Sequence, residues 1–204
     1  MKYSHLVILD FEANCIDKTF DATETMKVQE ITEFPCVVLN LKTKEIEKNK
    51  TFHHYCCIDE KLTNFATHLT GITETNTMNA NSFKHVLKQH QQWMTDNEFI
   101  DYKDDVSVLF VTCGNWDLNT MLPNQCKYSK INLPKYFKEW CNVKTLYQQF
   151  YSRKAKGMTN MLDELGIELD GRHHSGIDDS HNIAKICKIM LRDGVTFTST
   201  NTVI

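Results

Sequence analysis

The sequence contains little proline and glycine, no long apolar run and no excess of positive charge. Three prolines and seven glycines among 204 residues exclude collagen-like and low-complexity chains. No stretch approaches the roughly 18 consecutive apolar residues that a membrane-spanning helix requires. A net charge of −3 argues against a strong non-specific binder of DNA or RNA, which would use a broad basic surface to hold phosphate. An enzyme whose bound metal ions supply positive charge locally remains compatible with this composition.

The eight cysteines lack the spacing of a zinc site or a disulfide scaffold. They include one adjacent pair, Cys56 and Cys57, but no Cys-x-x-Cys. The first residues, Met1 to His5, lead directly into an apolar strand and leave no room for a signal peptide. We therefore expect an intracellular protein, cytoplasmic or nuclear, with reduced thiols and no membrane partner.

The length and composition predict a single globular domain. A chain of 204 residues with 41% hydrophobic and 24% charged content can bury one good core, and a second full domain would be cramped. The domain is expected to span residues 1–204, and residues 196–204 form a polar C-terminal tail without a structural signal.

The stretch from Leu6 to Cys15 predicts a buried strand that delivers two acidic side chains. Val7, Ile8 and Leu9 form the apolar run, and Asp10 and Glu12 follow it. Residues two apart in a strand project from the same face, so both carboxylates can enter one site. Two such anions repel each other unless a cation lies between them or one is protonated. Alone, the pair fits equally well the polar end of a strand that enters a loop.

A third acid is expected at the end of a second buried strand, predicted over residues 106–113. This strand ends at Gly114, and Asp117 then opens a helix. The carboxyl ends of central strands are where α/β sheets place ligands. Asp117 could instead be a simple N-cap, and Trp116 could be a core residue or a surface that stacks a nucleobase.

A glycine-containing loop opens the last helix and supplies further candidates. His173 and His174 lie in the loop, and Asp178 and Asp179 lie in the first helical turn. Acids at that position are also favoured by the helix dipole, so a purely structural role is the alternative for either of them. Elsewhere the patterns predict strands over residues 34–40, 46–55 and 140–143, and helices over residues 62–72, 82–97, 144–151 and 159–165.

This set of residues resembles the three motifs of the DEDDh 3′–5′ exonucleases, which supply four metal-binding acids and a histidine general base. Asp10 and Glu12 match the first motif, and Asp117 matches the second. In the third motif the family places its histidine five positions before the last aspartate. Counting back from Asp179 reaches His174 rather than His173.

The similarity extends over nearly the whole chain to the catalytic domain of the enhanced-RNAi and 3′ histone mRNA exonucleases. The shared segments are Asp10-Phe11-Glu12-Ala13, Glu33-Phe34-Pro35, Leu69-Thr70-Gly71-Ile72, Trp116-Asp117, the run from Gly171 to Ser180, and Asn182-Ile183-Ala184. Asn14 replaces the usual threonine of this subfamily, and His173 replaces a usual proline. The resemblance implies an α/β domain of the RNase H-like exonuclease fold, with a mixed sheet of about five strands flanked by helices.

The resemblance also implies a two-metal-ion hydrolysis of phosphodiester bonds that releases 5′-mononucleotides. Two Mg²⁺ ions roughly 3.5–4 Å apart, for which Mn²⁺ can substitute, assist the attacking water and the leaving oxygen. The expected metal ligands are Asp10, Glu12, Asp117 and Asp179. His174 is expected to accept the proton of the water, and Glu12 also to contact the terminal 3′-hydroxyl.

RNA 3′ ends are the expected substrate. The terminal nucleotide is expected near four residues, namely Ala13, Leu69, Trp116 and His174. The roles that the resemblance suggests lie in small RNA, histone mRNA or rRNA 3′-end processing. Three alternatives stay open: a single-strand DNA exonuclease, a catalytically silent nucleic-acid-binding module, and a protein whose acids hold a structural Ca²⁺ without the EF-hand spacing.

Overall fold

A computed structural model describes residues 2–101 and 105–202, so the ends of the predicted 1–204 domain and residues 203–204 of its tail lie outside the described residues. The described strands are β1 (His5–Ile8), β2 (Glu12–Ala13), β3 (Ile31–Asn40), β4 (Phe52–Cys57), β5 (Asn81–Ser82), β6 (Val108–Thr112), β7 (Glu139–Asn142) and β8 (Asn201–Thr202). The α-helices are α1 (Asn64–Thr70), α2 (Glu74–Met78), α3 (Phe83–Asp96), α4 (Leu122–Tyr128), α5 (Val143–Tyr151), α6 (Met158–Glu164) and α7 (Gly176–Arg192).

The strands form one mixed sheet in the order β5-β4-β3-β1-β6-β7-β8, and β2 pairs with β3 beside this path. β1 is parallel to β6 and antiparallel to β3. β6 and β7 are also parallel, whereas β3 and β4 are antiparallel. Five of the described strands have four or more residues, and the other three have only two. The predicted mixed sheet of about five strands is therefore confirmed, with short additions.

Hydrophobic cores cover both faces of the sheet. Val7 and Leu9 belong to the core that also contains side chains of α3 and α4. Leu6 and Ile8 belong to the opposite core, which contains side chains of α5, α6 and α7. Because neighbouring residues of a strand point to opposite faces, an uninterrupted apolar run is what a strand between two cores requires. The prediction that the first strand is buried on both faces is confirmed.

The helix ends follow local capping chemistry. The side chain of Thr63 accepts a hydrogen bond from the amide of Ala66 at the start of α1. Gly71 closes α1 with a φ of +78°, a left-handed conformation that glycine adopts without strain. Ser82 caps α3 in the same way as Thr63 caps α1. Both helices therefore form close to where the sequence pattern predicts them.

Three segments differ from expectation. The predicted strand over residues 46–55 begins later, as β4, because Lys48–Lys50 forms a short 3₁₀ helix in place of strand. The helix α2 was not predicted, since its polar residues show no apolar periodicity. The described part of the tail predicted over residues 196–204 packs against the rest of the domain. Phe197 is buried there, and β8 pairs with β7.

No helix within the described residues is long and apolar enough to cross a membrane.

Candidate active site

The first two motifs meet because their strands are parallel neighbours. Ile8 of β1 lies opposite Val111 of β6, and both strands end at the same edge of the sheet. Asp10 follows β1, whereas Asp117 follows β6 after a turn and begins a π-helical segment that leads into α4. The Asp117 carboxylate accepts a hydrogen bond from the amide of Phe11 at 2.9 Å. This bond ties the second motif directly to the segment that carries the first.

Three of the four predicted acids converge on a small volume. One carboxylate oxygen each from Asp10, Glu12 and Asp179 lie within 4.8 Å of one another. Glu12 and Asp179 are nearly inaccessible to solvent, with 8% and 2% exposure. Asp117 lies beside this group, because its carboxylate accepts the amide hydrogen of Phe11, the residue between Asp10 and Glu12. The structure thus brings the four acids together as the sequence predicts.

The third motif reaches this site through the first turn of α7. Asp179 lies in that turn, and its Oδ2 atom accepts a hydrogen bond from the amide of His174 at 2.9 Å. The Nδ1 atom of His173 lies 3.1 Å from the same oxygen. Asp178, by contrast, turns to the loop and accepts the amide hydrogen of Arg172 at 2.9 Å. Asp178 therefore supports the loop, and Asp179 faces the other acids.

The two histidines form a stacked pair beside Asp179. Their ring centroids are 3.9 Å apart, and the ring planes differ by 20°. A nitrogen of each ring and an Asp179 oxygen lie within 4.8 Å of one another, so the histidines form a second group that shares Asp179 with the three acids. His174 has a φ of +66°, a left-handed conformation that is uncommon for residues other than glycine. Burial lowers the pKa of His174, and the neighbouring His173 and Arg172 charges lower it further.

Crowding of buried carboxylates makes the ionised form of the site unfavourable without a cation. Burial raises the pKa of Glu12 to about 9, and the charges of Glu33 and Asp179 add to the rise. Desolvation and the charges of its neighbours raise the pKa of Asp10 well above its usual range. Burial raises the pKa of Asp117 to about 6, although its hydrogen bond from Phe11 opposes the shift. A divalent cation removes this penalty by screening the charges.

The residues fit a divalent metal ion of the Mg²⁺ class. Such hard cations prefer oxygen ligands, and the three clustered carboxylates supply oxygens on one side of a buried site. Asp117, at the start of the helical segment that follows β6, is available as a fourth carboxylate beside them. The donor set contains no cysteine, which argues against a softer metal with thiolate ligands.

We expect the stability of the protein in EDTA to fall as the pH rises from 6.5 to 8. In this window Glu12 keeps its proton in the folded state, with a pKa of about 9, but has lost it in the unfolded state, with a pKa near 4.5. A proton that is bound in the folded state but not in the unfolded state lowers the free energy of unfolding by about 1.4 kcal/mol for each unit by which the pH rises. The stabilisation is complete below the unfolded pKa and is lost as the pH passes the folded one.

Thermal melting in EDTA across this window measures the effect. We expect Glu12→Gln to flatten the dependence and excess Mg²⁺ to reduce it, because both remove the penalty of ionising the site. The window begins at 6.5 because burial lowers the pKa of His90 to about 3, which makes stability rise with pH below that point. A melting temperature in EDTA that rises from pH 6.5 to 8 would contradict the prediction.

The residues predicted to bind the terminal nucleotide differ in how much of their surface is exposed to solvent. Trp116 directly precedes Asp117 and is 40% exposed, so its ring is available for stacking. Leu69 lies in α1, which is joined to the third motif by hydrogen bonds from Arg172 to the carbonyls of His68 and Leu69. Ala13 follows Glu12 in β2 and is only 5% exposed. Trp116 therefore offers more surface to a ligand than Ala13 does.

Sequence reasoning missed the position of Glu33 beside the candidate site. This residue lies opposite Glu12 in the pairing of β2 with β3, and it is 1% exposed. The available signal was a carboxylate directly before the predicted strand over residues 34–40, close to apolar residues on both sides. Buried charges are rare unless they are paired. The motif Glu33-Phe34-Pro35 marks the segment as similar to the exonucleases but shows nothing of the contacts of the side chain.

Comparison with known proteins gives consistent matches. The RNase T family of exonucleases matches residues 7–187. Human ERI1 exoribonuclease 3 is 40% identical over 203 residues, which cover 98% of this chain and 57% of that protein. The chain therefore spans little more than half the length of the curated relatives that it matches.

Solved structures agree with this match. The nuclease domain of 3′hExo, a DEDDh family member bound to rAMP, has a TM-score of 0.88 and 36% identity, with 98% of each chain covered. The 3′-exonuclease in a structure of histone mRNA stem-loop recognition has a TM-score of 0.89 and 35% identity, over 99% of this chain and 88% of that one. The predicted exonuclease fold and the resemblance to the DEDDh proteins are confirmed. The chain belongs to the RNase T family of exonucleases.

Proposed function

We propose that this chain is a metal-dependent 3′–5′ exoribonuclease that releases 5′-mononucleotides. The observation that carries the proposal is the convergence of Asp10, Glu12 and Asp179, whose carboxylate oxygens lie within 4.8 Å of one another. Asp117 and the two histidines of the third motif border the same volume. The names of the relatives, which include exoribonucleases, support RNA as the substrate class.

Asp10, Glu12, Asp117 and Asp179 would hold two Mg²⁺ ions, for which Mn²⁺ would substitute. When bound, such ions stabilise charge on the phosphoryl oxygens and lower the pKa of water. The parallel strands β1 and β6 position Asp10 and Asp117, the pairing of β2 with β3 positions Glu12, and the first turn of α7 positions Asp179.

His174 would accept the proton of the attacking water. Its lowered pKa keeps the imidazole neutral at pH 7, which is the form that can take a proton. The amide of His174 is bonded to Asp179, so the histidine is held next to the acids. Glu12 would also contact the terminal 3′-hydroxyl, and its position next to Ala13 in β2 supports this role.

The terminal nucleotide would lie against Trp116, Leu69, Ala13 and His174. An exposed tryptophan face stacks any base, so this contact is expected to be independent of sequence. One solved relative contains rAMP, and another is described in recognition of a histone mRNA stem-loop, which favours RNA 3′ ends. Small RNAs, histone mRNA and rRNA ends are the natural substrates that we propose.

All eight cysteines are free, which supports an intracellular location, cytoplasmic or nuclear.

A gel assay tests this function. Single strands of RNA and DNA with one sequence and a 5′ label are incubated with Mg²⁺, with Mn²⁺ or with EDTA. We expect RNA to shorten stepwise from its 3′ end with either metal and to stay intact in EDTA. Faster shortening of DNA than of RNA would replace the substrate class with DNA. Failure to cleave either strand with both metals would instead favour a silent nucleic-acid-binding module.

A further inference from the structure

Glu33 is a buried carboxylate next to Glu12, one of the acids of the candidate metal site. It lies in β3, is 1% exposed, and pairs across the strands with Glu12. A charge in this position must be compensated by hydrogen bonds or an ion pair, because a bare buried carboxylate is strongly unfavourable. The groups that contact Glu33 therefore show which parts of the structure depend on this carboxylate.

The carboxylate of Glu33 binds the start of α7. Its Oε2 atom accepts a hydrogen bond from the amide of Gly176 at 3.0 Å, and its Oε1 atom accepts one from the amide of Ile177 at 3.1 Å. These amides have no partner inside the helix, and hydrogen bonds to an ionised acceptor are about twice as strong as neutral ones. A residue 143 positions earlier thus provides the cap that Ser175 does not provide with its side chain.

His53 also contacts this carboxylate, at the oxygen that accepts the amide hydrogen of Ile177. Its Nε2 atom lies 2.8 Å from Glu33 Oε1, and its ring is 31% exposed. The two residues lie in neighbouring strands, β4 and β3. Glu33 is therefore fixed between a histidine and two helix amides, which leaves its oxygens little freedom to move.

The start of α7 also lies against the chain at the first motif. A Cβ atom added to Gly176 would come within 2.6 Å of the backbone oxygen of Asp10 and within 3.2 Å of Glu33 Oε2. Glycine is required here because any side chain would push the helix away from both residues. Asp179 lies three residues later, on the turn that this contact positions.

We propose that Glu33 is a positioning residue, which holds the first turn of α7 in place so that Asp179 faces Asp10 and Glu12 before any metal binds. The inference rests on the metal site of the proposed function. Residues that orient metal ligands commonly contribute about 10- to 100-fold to metal affinity, and Glu33 would act in this way through the backbone of α7.

A matched pair of variants tests the role of Glu33. Glu30→Gln serves as the control, because Glu30 is also buried at this end of β3 and also accepts backbone hydrogen bonds, but from Asp59 and Glu60. Mn²⁺ binding is measured by the loss of its free electron paramagnetic resonance signal, alongside thermal melting and the kcat and KM for RNA.

We expect Glu33→Gln to weaken Mn²⁺ binding about 10- to 100-fold and to lower kcat, whereas Glu30→Gln changes neither. We expect both variants to lower the melting temperature, and this loss by itself does not affect the comparison. Folded Glu33→Gln protein with the Mn²⁺ affinity and kcat of the wild type would overturn the proposal. Equal losses of Mn²⁺ affinity in both variants would also overturn it, since they would indicate a general effect of damage to β3.

Hydrogen exchange of the wild-type protein provides a test that does not require a folded variant. We expect the amides of Gly176 and Ile177 to be protected in EDTA, because Glu33 binds them without metal. Protection that arises only after Mn²⁺ is added would overturn the proposal. A wild-type protein that neither binds Mn²⁺ nor cleaves RNA would refute the proposed function, and the exchange in EDTA would still show separately whether Glu33 holds α7.

Discussion

Asp10→Asn is expected to lower kcat on RNA by about a thousandfold or more. Asp10 shares its site with Glu12 and Asp179, and in the proposed mechanism its charge helps to hold a cation among them. A catalytic metal contributes several kcal/mol to transition-state stabilisation, and each 1.4 kcal/mol is about tenfold in rate. The rate at which 5′-labelled RNA shortens in Mg²⁺ measures the loss.

Melting in EDTA separates this effect from unfolding. Because desolvation and its acidic neighbours disfavour the charge of Asp10, we expect Asp10→Asn to be at least as stable as the wild type without metal. Asp170→Asn is a suitable control, since Asp170 is 76% exposed and pairs with Lys185 on the surface. We expect that control to retain full activity. Wild-type turnover by folded Asp10→Asn protein would refute the metal assignment.

His174→Ala is expected to lower kcat about 100- to 10,000-fold, the contribution that a general base makes. The variant should still bind Mn²⁺, because its amide remains to bond Asp179 and the four acids are intact. Comparison of kcat with the Mn²⁺ affinity of the same protein therefore separates loss of the base from loss of the metal.

His173→Ala is the matched comparison for this prediction. The two rings stack, and it is the ring of His173 that contacts Asp179 at 3.1 Å. We expect His173→Ala to cost less activity than His174→Ala, because the motif spacing assigns the base to the position five residues before Asp179. A larger loss of kcat in His173→Ala would show that His173 is the base.

Local patterns in the sequence were sufficient for much of this fold. The apolar run before Asp10 predicts a strand between two cores, and Val7 and Ile8 belong to opposite cores in the structure. The apolar stripe after Ser82 predicts a helix that is present as α3. Such elements are predictable because their side-chain period and their caps are properties of neighbouring residues.

Short elements were not predictable from the same patterns. The strands β2, β5 and β8 have two residues each, too few to show an alternation. β8 forms because β7 offers it a free edge, and Phe197 fills a place in the core beside it. Partners of this kind are supplied by distant parts of the chain.

For the site, the sequence by itself determined which acids and histidines are present and in what order. The tertiary structure decided how they are held. The parallel register of β1 and β6 brings Asp10 to Asp117, and the cap that Glu33 places on α7 aims Asp179 at Glu12. The physical reason is that hydrogen bonds and charge compensation depend on distance in space. No local period of the sequence reports a contact between residues 143 positions apart.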